Sequence, residues 1–146
     1  MNIEQYLREN GTLTYTNKGV SMLPLLREGR DMFTVSRKDS ERCKAGDVVL
    51  YKRGRDYVLH RVVEVRENDY VILGDNCITY EYGVRDSDIL GVMTGFIRGG
   101  REYSVESPGY RLYTFVILHA ITIRLFMRRA ISWALRKLRY IFRAVR

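Results

Sequence analysis

The chain has 146 residues, of which 46% are hydrophobic, and its formal net charge is +8. This length allows one compact domain with an appendage and excludes two domains of ordinary size, while the hydrophobic content excludes a fully disordered chain. The charge is unevenly placed, because nine of the 25 Lys and Arg but none of the 17 Asp and Glu lie in residues 110–146. We therefore divide the chain into a domain, residues 1–109, and a basic tail, residues 110–146.

The domain begins with a short predicted helix and continues as predicted strands. Ile3, Tyr6 and Leu7 recur at helical spacing, and Gly11 stands where such a helix would end. Stretches rich in β-branched and aromatic residues predict strands at 12–16, 32–35, 48–52, 57–65, 70–73 and 89–97, with turn formers at 53–56, 67–69 and 74–76. Short strands with close turns predict a mostly β fold, a compact antiparallel β-domain.

The tail has the pattern of a basic amphipathic C-terminal helix, preceded by an apolar stretch at 112–123. A helix that is rich in arginine and free of acids is typical of an anionic membrane surface. Five residues are predicted to bind that surface: Arg124, Arg128, Arg129, Trp133 and Arg136. Packing of the tail on the domain, or against a partner helix, is the alternative. A membrane-spanning tail is less favoured, because Arg111, His119 and Arg124 interrupt or flank its apolar stretch.

The composition implies no metal and no cofactor. Cys43 and Cys77 fit no metal-ligand spacing, and two cysteines make no disulfide framework, so we expect reduced thiols in a reducing compartment. The polar N-terminus also lacks the apolar segment of a secretory signal.

The chain has two histidines, and this limits the candidates for a general base. His119 lies in the apolar part of the tail, with no acid in the residues that follow it. His60 lies within a predicted strand, where alternation places it on one face with Val58 and Val62. An imidazole with an ordinary pKa near 6.5 suits a base at neutral pH, although a half-buried histidine hydrogen-bonded within a sheet would have the same pattern.

Two further segments carry groups that could take part in catalysis. Ser21 follows a predicted strand and precedes Pro24, so its hydroxyl and its own N–H could lie at a sheet edge. Gly74-Asp75-Asn76 reads by itself as a tight turn. Neither segment alone indicates an activity.

The order and spacing of four motifs are more specific than any one of them. They are Ser-Met-x-Pro at 21–24, Gly-Asp-Val-Val-Leu-Tyr-Lys at 46–52, His-Arg-Val-Val at 60–63 and Gly-Asp-Asn at 74–76. Together they resemble the type I signal peptidase family, and most of all its archaeal and endoplasmic-reticulum branch, in which histidine replaces the bacterial catalytic lysine. The resemblance covers residues 19–96, and it implies a signal-peptidase-like β-domain without metal or cofactor.

The resemblance also implies roles for individual residues. Ser21 would be the nucleophile and His60 the general base, with Asp75 in a supporting role. A second aspartate of that branch falls at Glu81 here, so either Asp75 or Glu81 could orient His60.

Two residues near the nucleophile would contribute to the oxyanion and substrate site. Some relatives carry a hydroxyl two residues before the nucleophile, where this chain has Gly19. A second backbone N–H would then have to complete the oxyanion site, and Met22 would adjoin the substrate.

The expected function is that of a serine endopeptidase that removes a leader or signal segment from a peptide or protein precursor. The substrate would bind as an added β-strand, and the enzyme would lie on an anionic membrane with its catalytic domain on the cytoplasmic side. Two alternatives share the fold: an inactive peptide-binding module and a self-cleaving repressor-type peptidase, for which no upstream DNA-binding module is visible. Nucleic-acid binding by the tail is a third alternative and is not expected, because apolar residues interleave with its arginines.

Overall fold

The computed structural model of the chain describes residues 2–144, and in the second half of the C-terminal helix it describes the side chains at 126, 127, 131, 133, 135 and 137 only. The elements, in chain order, are α1 (Ile3–Asn10), β1 (Thr12–Thr16), β2 (Met32–Arg37), β3 (Val48–Arg53), β4 (Asp56–Val65), β5 (Tyr70–Leu73), β6 (Glu81–Val84), β7 (Ile89–Arg98), β8 (Arg101–Ser104) and α2 (Pro108–Ala144). A single 3-10 turn, Asp86–Asp88, precedes β7.

Local sequence explains both ends of α1. The Asn2 side chain accepts a hydrogen bond from the Glu4 N–H at 3.2 Å and caps the first turn. Gly11 adopts a left-handed conformation with φ 74°, and its N–H donates to the Leu7 carbonyl at 2.9 Å. Leu7 is buried in the core, so the helix is anchored by its one fully buried residue.

The eight strands form one antiparallel sheet in the order β1-β2-β7-β3-β4-β5-β6, with β8 also paired to β7. β7 is its central strand: β2 runs along one edge, and β3 and β8 share the other edge. The strands from β3 to β6 are neighbours in the sequence as well as in the sheet. The strand that carries His60 therefore lies among hairpin-connected partners.

Hydrophobic clusters cover both faces of β3. Val48 and Leu50 belong to a cluster that also contains Leu7 and Phe33, whereas Tyr51, the residue after Leu50, belongs to a second cluster with β4 and β5 residues. Successive strand residues point to opposite faces, so a strand buried on both faces reads as a continuous apolar run.

The mostly β fold with a short N-terminal helix and a C-terminal helix is confirmed, and each of the six predicted strands is present. Two strands, β6 and β8, were not predicted. β6 contains a glycine with φ 75° at position 83, which is typical of turns, and β8 is exposed along its whole length, so no alternation marks it.

The apolar stretch and the basic segment of the tail form one continuous helix, α2. Its first half packs on the domain: Tyr110 and Tyr113 contact the first cluster, and Ile121 is buried. A stripe at helical spacing faces away from the domain, with each member between 53% and 72% exposed: Leu112, Phe115, Val116, Ile123, Phe126 and Met127. No helix in the described part of the chain is long and apolar enough to cross a membrane.

Candidate active site

The His60 imidazole projects from β4 between groups of β3 and β6. Its Nδ1 lies 3.2 Å from Glu81 Oε1 and 3.3 Å from the Tyr51 hydroxyl oxygen. A carboxylate beside Nδ1 favours the tautomer with its proton on that nitrogen, which leaves the lone pair on Nε2. Of the two carboxylates that sequence left open, Glu81 is therefore the one placed to orient His60.

Electrostatics keep the His60 ring neutral near neutral pH. Burial lowers the pKa of His60 below its ordinary value of 6.5, the nearby Glu81 carboxylate raises it, and the Arg53 guanidinium lowers it again. Arg53 Nη1 also binds Glu81 Oε1 at 2.9 Å, so the carboxylate is shared between the two residues. A neutral imidazole is the form that can accept a proton.

Tyr51 completes the surroundings of Nδ1. Burial and the neighbouring Glu81 raise the pKa of Tyr51, which keeps its hydroxyl protonated. His60 is paired with Val49 across β3 and β4, so Tyr51, two residues along β3, is its diagonal neighbour on the same face.

Ser21 lies in the turn-rich segment between β1 and β2 and is tied to the Gly-Asp-Asn segment. The Asn76 N–H donates to the Ser21 carbonyl at 2.8 Å, and the Asn76 side-chain amide donates to the Val20 carbonyl at 3.2 Å. The Ser21 side chain is partly exposed. These bonds bring the serine segment to the loop that follows β5.

Gly74 lies against both the Ser21 carbonyl oxygen and the His60 ring. A Cβ at this position would lie 2.7 Å from the Ser21 carbonyl oxygen and 3.0 Å from His60 Cδ2, so only glycine permits this approach. Cδ2 is bonded to Nε2 in the ring, and the ring edge opposite Glu81 therefore faces the serine segment. The structure shows no hydrogen bond between Ser21 Oγ and His60 Nε2, a bond that is often long in the absence of substrate.

Asp75, the other predicted carboxylate, has a different role from the one considered. Its two oxygens bind Arg61 Nε and Nη2, each at 2.7 Å, and both side chains are fully buried. The Asp75 carboxylate is thus occupied by Arg61, and sequence alone did not indicate this pair.

The two residues predicted near the oxyanion are placed differently from expectation. The Met22 side chain is 1% exposed and belongs to the core, so the prediction that it adjoins the substrate is wrong for this side chain. The Gly19 N–H donates to Glu28 Oε1 at 2.9 Å and is already used. Within residues 2–144 the Ser21 N–H makes no such bond and is the available donor.

A cleft of about 480 Å³ opens beside His60. It is lined by Arg53, His60, Cys77, Ile78, Thr79 and Glu81. Ile78 is exposed in this cleft, and Val20, which precedes Ser21, is exposed as well, so apolar surface lies near both His60 and Ser21. Sequence did not indicate the lining residues other than His60 and Glu81, since they come together only when the connection between β5 and β6 folds against β3 and β4.

The predicted membrane residues lie away from this cleft, on α2. The side chains of Arg124, Arg128, Arg129 and Arg136 lie outside the described residues. Trp133 is exposed, with Lys137 Nζ 5.0 Å from its ring centroid. His119 is exposed on the same helix, and its Nδ1 lies 2.7 Å from the Phe115 carbonyl oxygen one turn earlier.

Comparison of the chain with protein-family models, curated proteins and solved structures finds no match. Among the described residues, no group of three or more His, Cys, Asp or Glu is arranged to hold a metal ion. The site contains a serine, a neutral imidazole and a carboxylate on the far side of that imidazole. These are the parts required for nucleophilic acyl transfer.

Proposed function

We propose that this chain is a serine endopeptidase that cleaves a leader or signal segment from a peptide or protein precursor. One observation carries the proposal: Glu81 holds Nδ1 of His60, while the opposite edge of that ring meets the Ser21 segment across Gly74. A nucleophile, a base and a group that orients the base follow one another in space, which is the arrangement that activates a serine hydroxyl.

The mechanism follows from these positions. His60 Nε2 takes the Ser21 hydroxyl proton as Oγ bonds to the carbonyl carbon of the scissile peptide. The tetrahedral intermediate then collapses, the C–N bond breaks, and His60 returns the proton to the leaving amine. Water, deprotonated by His60, hydrolyses the acyl-enzyme ester and frees Ser21. The Ser21 N–H donates to the oxyanion in both steps.

The substrate is an extended peptide with a side chain facing the exposed apolar surface near His60 and Ser21. Ile78 provides such surface in the cleft, and Val20 provides it next to Ser21. Extended peptides commonly bind by adding a strand at an exposed sheet edge, and β6, which begins with Glu81, is an edge strand of this sheet.

Labelling of Ser21 is the direct test of the activity. A fluorophosphonate, which phosphonylates activated serines with loss of fluoride, will modify the parent protein and leave Ser21→Ala and His60→Ala unmodified, as detected by mass spectrometry. Ser87→Ala and His119→Ala are matched controls on exposed residues and will label at the parental rate. A peptide library digested in parallel identifies the cleaved sequences. A folded parent protein that neither labels nor cleaves would leave an inactive peptide-binding module as the better reading.

We propose also that α2 lies on an anionic membrane surface. Its outward stripe exposes Phe115, Phe126 and other apolar side chains opposite the face that packs on the domain, and residues 110–146 carry nine Lys and Arg without an acid. An in-plane helix buries such a stripe at the level of the lipid headgroups while its cations attract anionic lipid. The cytoplasmic leaflet, which is rich in anionic lipid, is the surface that suits it, and a membrane-bound precursor fits as the substrate.

Vesicle co-sedimentation tests the membrane assignment. The parent protein will sediment with vesicles containing phosphatidylglycerol and much less with phosphatidylcholine alone, and Phe115→Glu with Phe126→Glu will abolish the difference. A double change of Tyr15 and Tyr103 to Glu, on exposed strand positions, is the control. Preference for DNA over anionic vesicles would contradict the assignment.

A further inference from the structure

The buried pair of Arg61 and Asp75 lies between the catalytic segments and α2. On the helix side, the Tyr113 hydroxyl donates to Asp75 Oδ2 at 2.8 Å. Arg61 Nη1 donates to Thr114 Oγ1 at 3.3 Å, and to the Gly46 carbonyl at 2.7 Å. The first two turns of α2 thus complete the hydrogen bonding of the pair.

Each member of the pair is also adjacent along the chain to residues of the candidate active site. Arg61 directly follows His60 on β4. Asp75 stands between Gly74, which packs against the His60 ring, and Asn76, whose N–H holds the Ser21 carbonyl. Displacement of Asp75 by a fraction of an ångström would therefore move both contacts that set the distance between serine and imidazole.

A fully buried ion pair keeps one geometry only when its remaining lone pairs and protons are satisfied. Burial and the adjacent Asp75 raise the pKa of Tyr113, so its hydroxyl stays protonated and can donate. The ring of Tyr113 also lies over the Arg61 guanidinium, with 5.6 Å between the guanidinium carbon and the ring centroid. Tyr113 therefore contacts both members of the pair.

We propose that the start of α2 is a positioning element of the active site, in which Tyr113 fixes Asp75 and through it the spacing of Ser21 and His60. This inference rests on the proposed peptidase function. The tail then has two faces with separate tasks: the docked face sets the catalytic geometry, and the outward stripe binds lipid.

The test uses the full chain with Tyr113→Phe, which removes the hydroxyl and retains the ring. Tyr103→Phe, on the exposed strand β8, is the matched control. Fluorophosphonate labelling is measured over a range of probe concentrations and normalised to the folded fraction. The histidine ring protons are followed by NMR over a pH titration, in which His60 is distinguished from His119 by His119→Asn.

Loss of one hydrogen bond to a buried charge should lower the limiting labelling rate about tenfold, with the half-saturating probe concentration unchanged. A role in stability alone would lower the folded fraction and leave this normalised rate intact. His60 should titrate closer to its ordinary pKa in Tyr113→Phe, because looser packing of Gly74 admits water to the ring.

The two readouts separate this inference from the proposed function. If the parent protein neither labels nor cleaves the peptide library but the His60 titration moves in Tyr113→Phe, the peptidase proposal fails and the positioning role stands. If Tyr113→Phe labels at the parental limiting rate and His60 titrates as in the parent, the positioning role is overturned.

Discussion

Replacement of Glu81 by glutamine removes the charge at His60 Nδ1 and retains the shape of the side chain. The imidazolium that forms as Ser21 attacks loses its neighbouring carboxylate, whose Oε1 lies 3.2 Å away. Unit charges at this distance attract by about 5 kcal/mol at an effective dielectric constant of about 20. Glu81 is partly exposed and shared with Arg53, so about 2 to 3 kcal/mol of this stabilisation reaches the transition state.

That loss corresponds to a fall of about 30- to 150-fold in the rate of Ser21 acylation. The assay is the limiting rate of fluorophosphonate labelling, measured with active-site titration so that misfolded protein does not contribute. Arg53 lowers the pKa of His60 and is left beside it without its partner, so Glu81→Gln with Arg53→Gln should label faster than Glu81→Gln alone.

Glu64→Gln, on the same strand as His60 but exposed and paired with Arg66, is the matched control and should label at the parental rate. Labelling of Glu81→Gln within twofold of the parent rate would refute the assignment of Glu81 as the orienting group. A double variant no faster than Glu81→Gln would refute the electrostatic role given to Arg53.

Three further outcomes are expected. Asp75→Ala leaves Arg61 buried without its carboxylate and should lower the free energy of unfolding by about 3 to 5 kcal/mol, measured by urea denaturation. Gly74→Ala places a methyl group 2.7 Å from the Ser21 carbonyl oxygen and should lower labelling more than tenfold in protein that still shows a native circular dichroism spectrum. The Arg27 guanidinium lowers the pKa of the buried Asp31 carboxyl from 3.8 to about 2. The Asp31 carboxylate therefore contributes about 2 kcal/mol to stability above pH 3.8, and this contribution is lost as the pH falls towards 2. In Asp31→Asn, the pH dependence of thermal unfolding should be flatter over that range.

Strong local patterns carried most of the fold prediction. The apolar runs at β3, β4, β5 and β7 identified those strands, and helical spacing with Gly11 identified α1. β6 escaped because its pairing with β5 depends on tertiary contacts around Gly83, against the preference of its own residues.

The residues of the candidate site that lie within the four sequence motifs could be predicted. Ser21 and His60 came from the order of four segments, and the structure places both beside Gly74. The choice of Glu81 over Asp75 could not be made from sequence, because it depends on which β4 residue each carboxylate reaches: Asp75 binds Arg61, and Glu81 lies beside His60. Arg61 and Tyr113 also had no signal, since a buried ion pair is recognised only when its partners are seen together.

The strand order has a consequence for the order in which the candidate site forms during folding. The strands from β3 to β6, which carry His60 and Glu81, pair as successive hairpins. The serine segment lies between β1 and β2, and β2 joins the rest of the sheet by pairing with β7, which is remote in sequence, as in the pair of Phe33 with Phe96. Local hairpins close faster than contacts between remote parts of a chain. We expect a folding chain to place His60 beside Glu81 before Ser21 reaches them, so a partly folded molecule would lack the proposed peptidase activity.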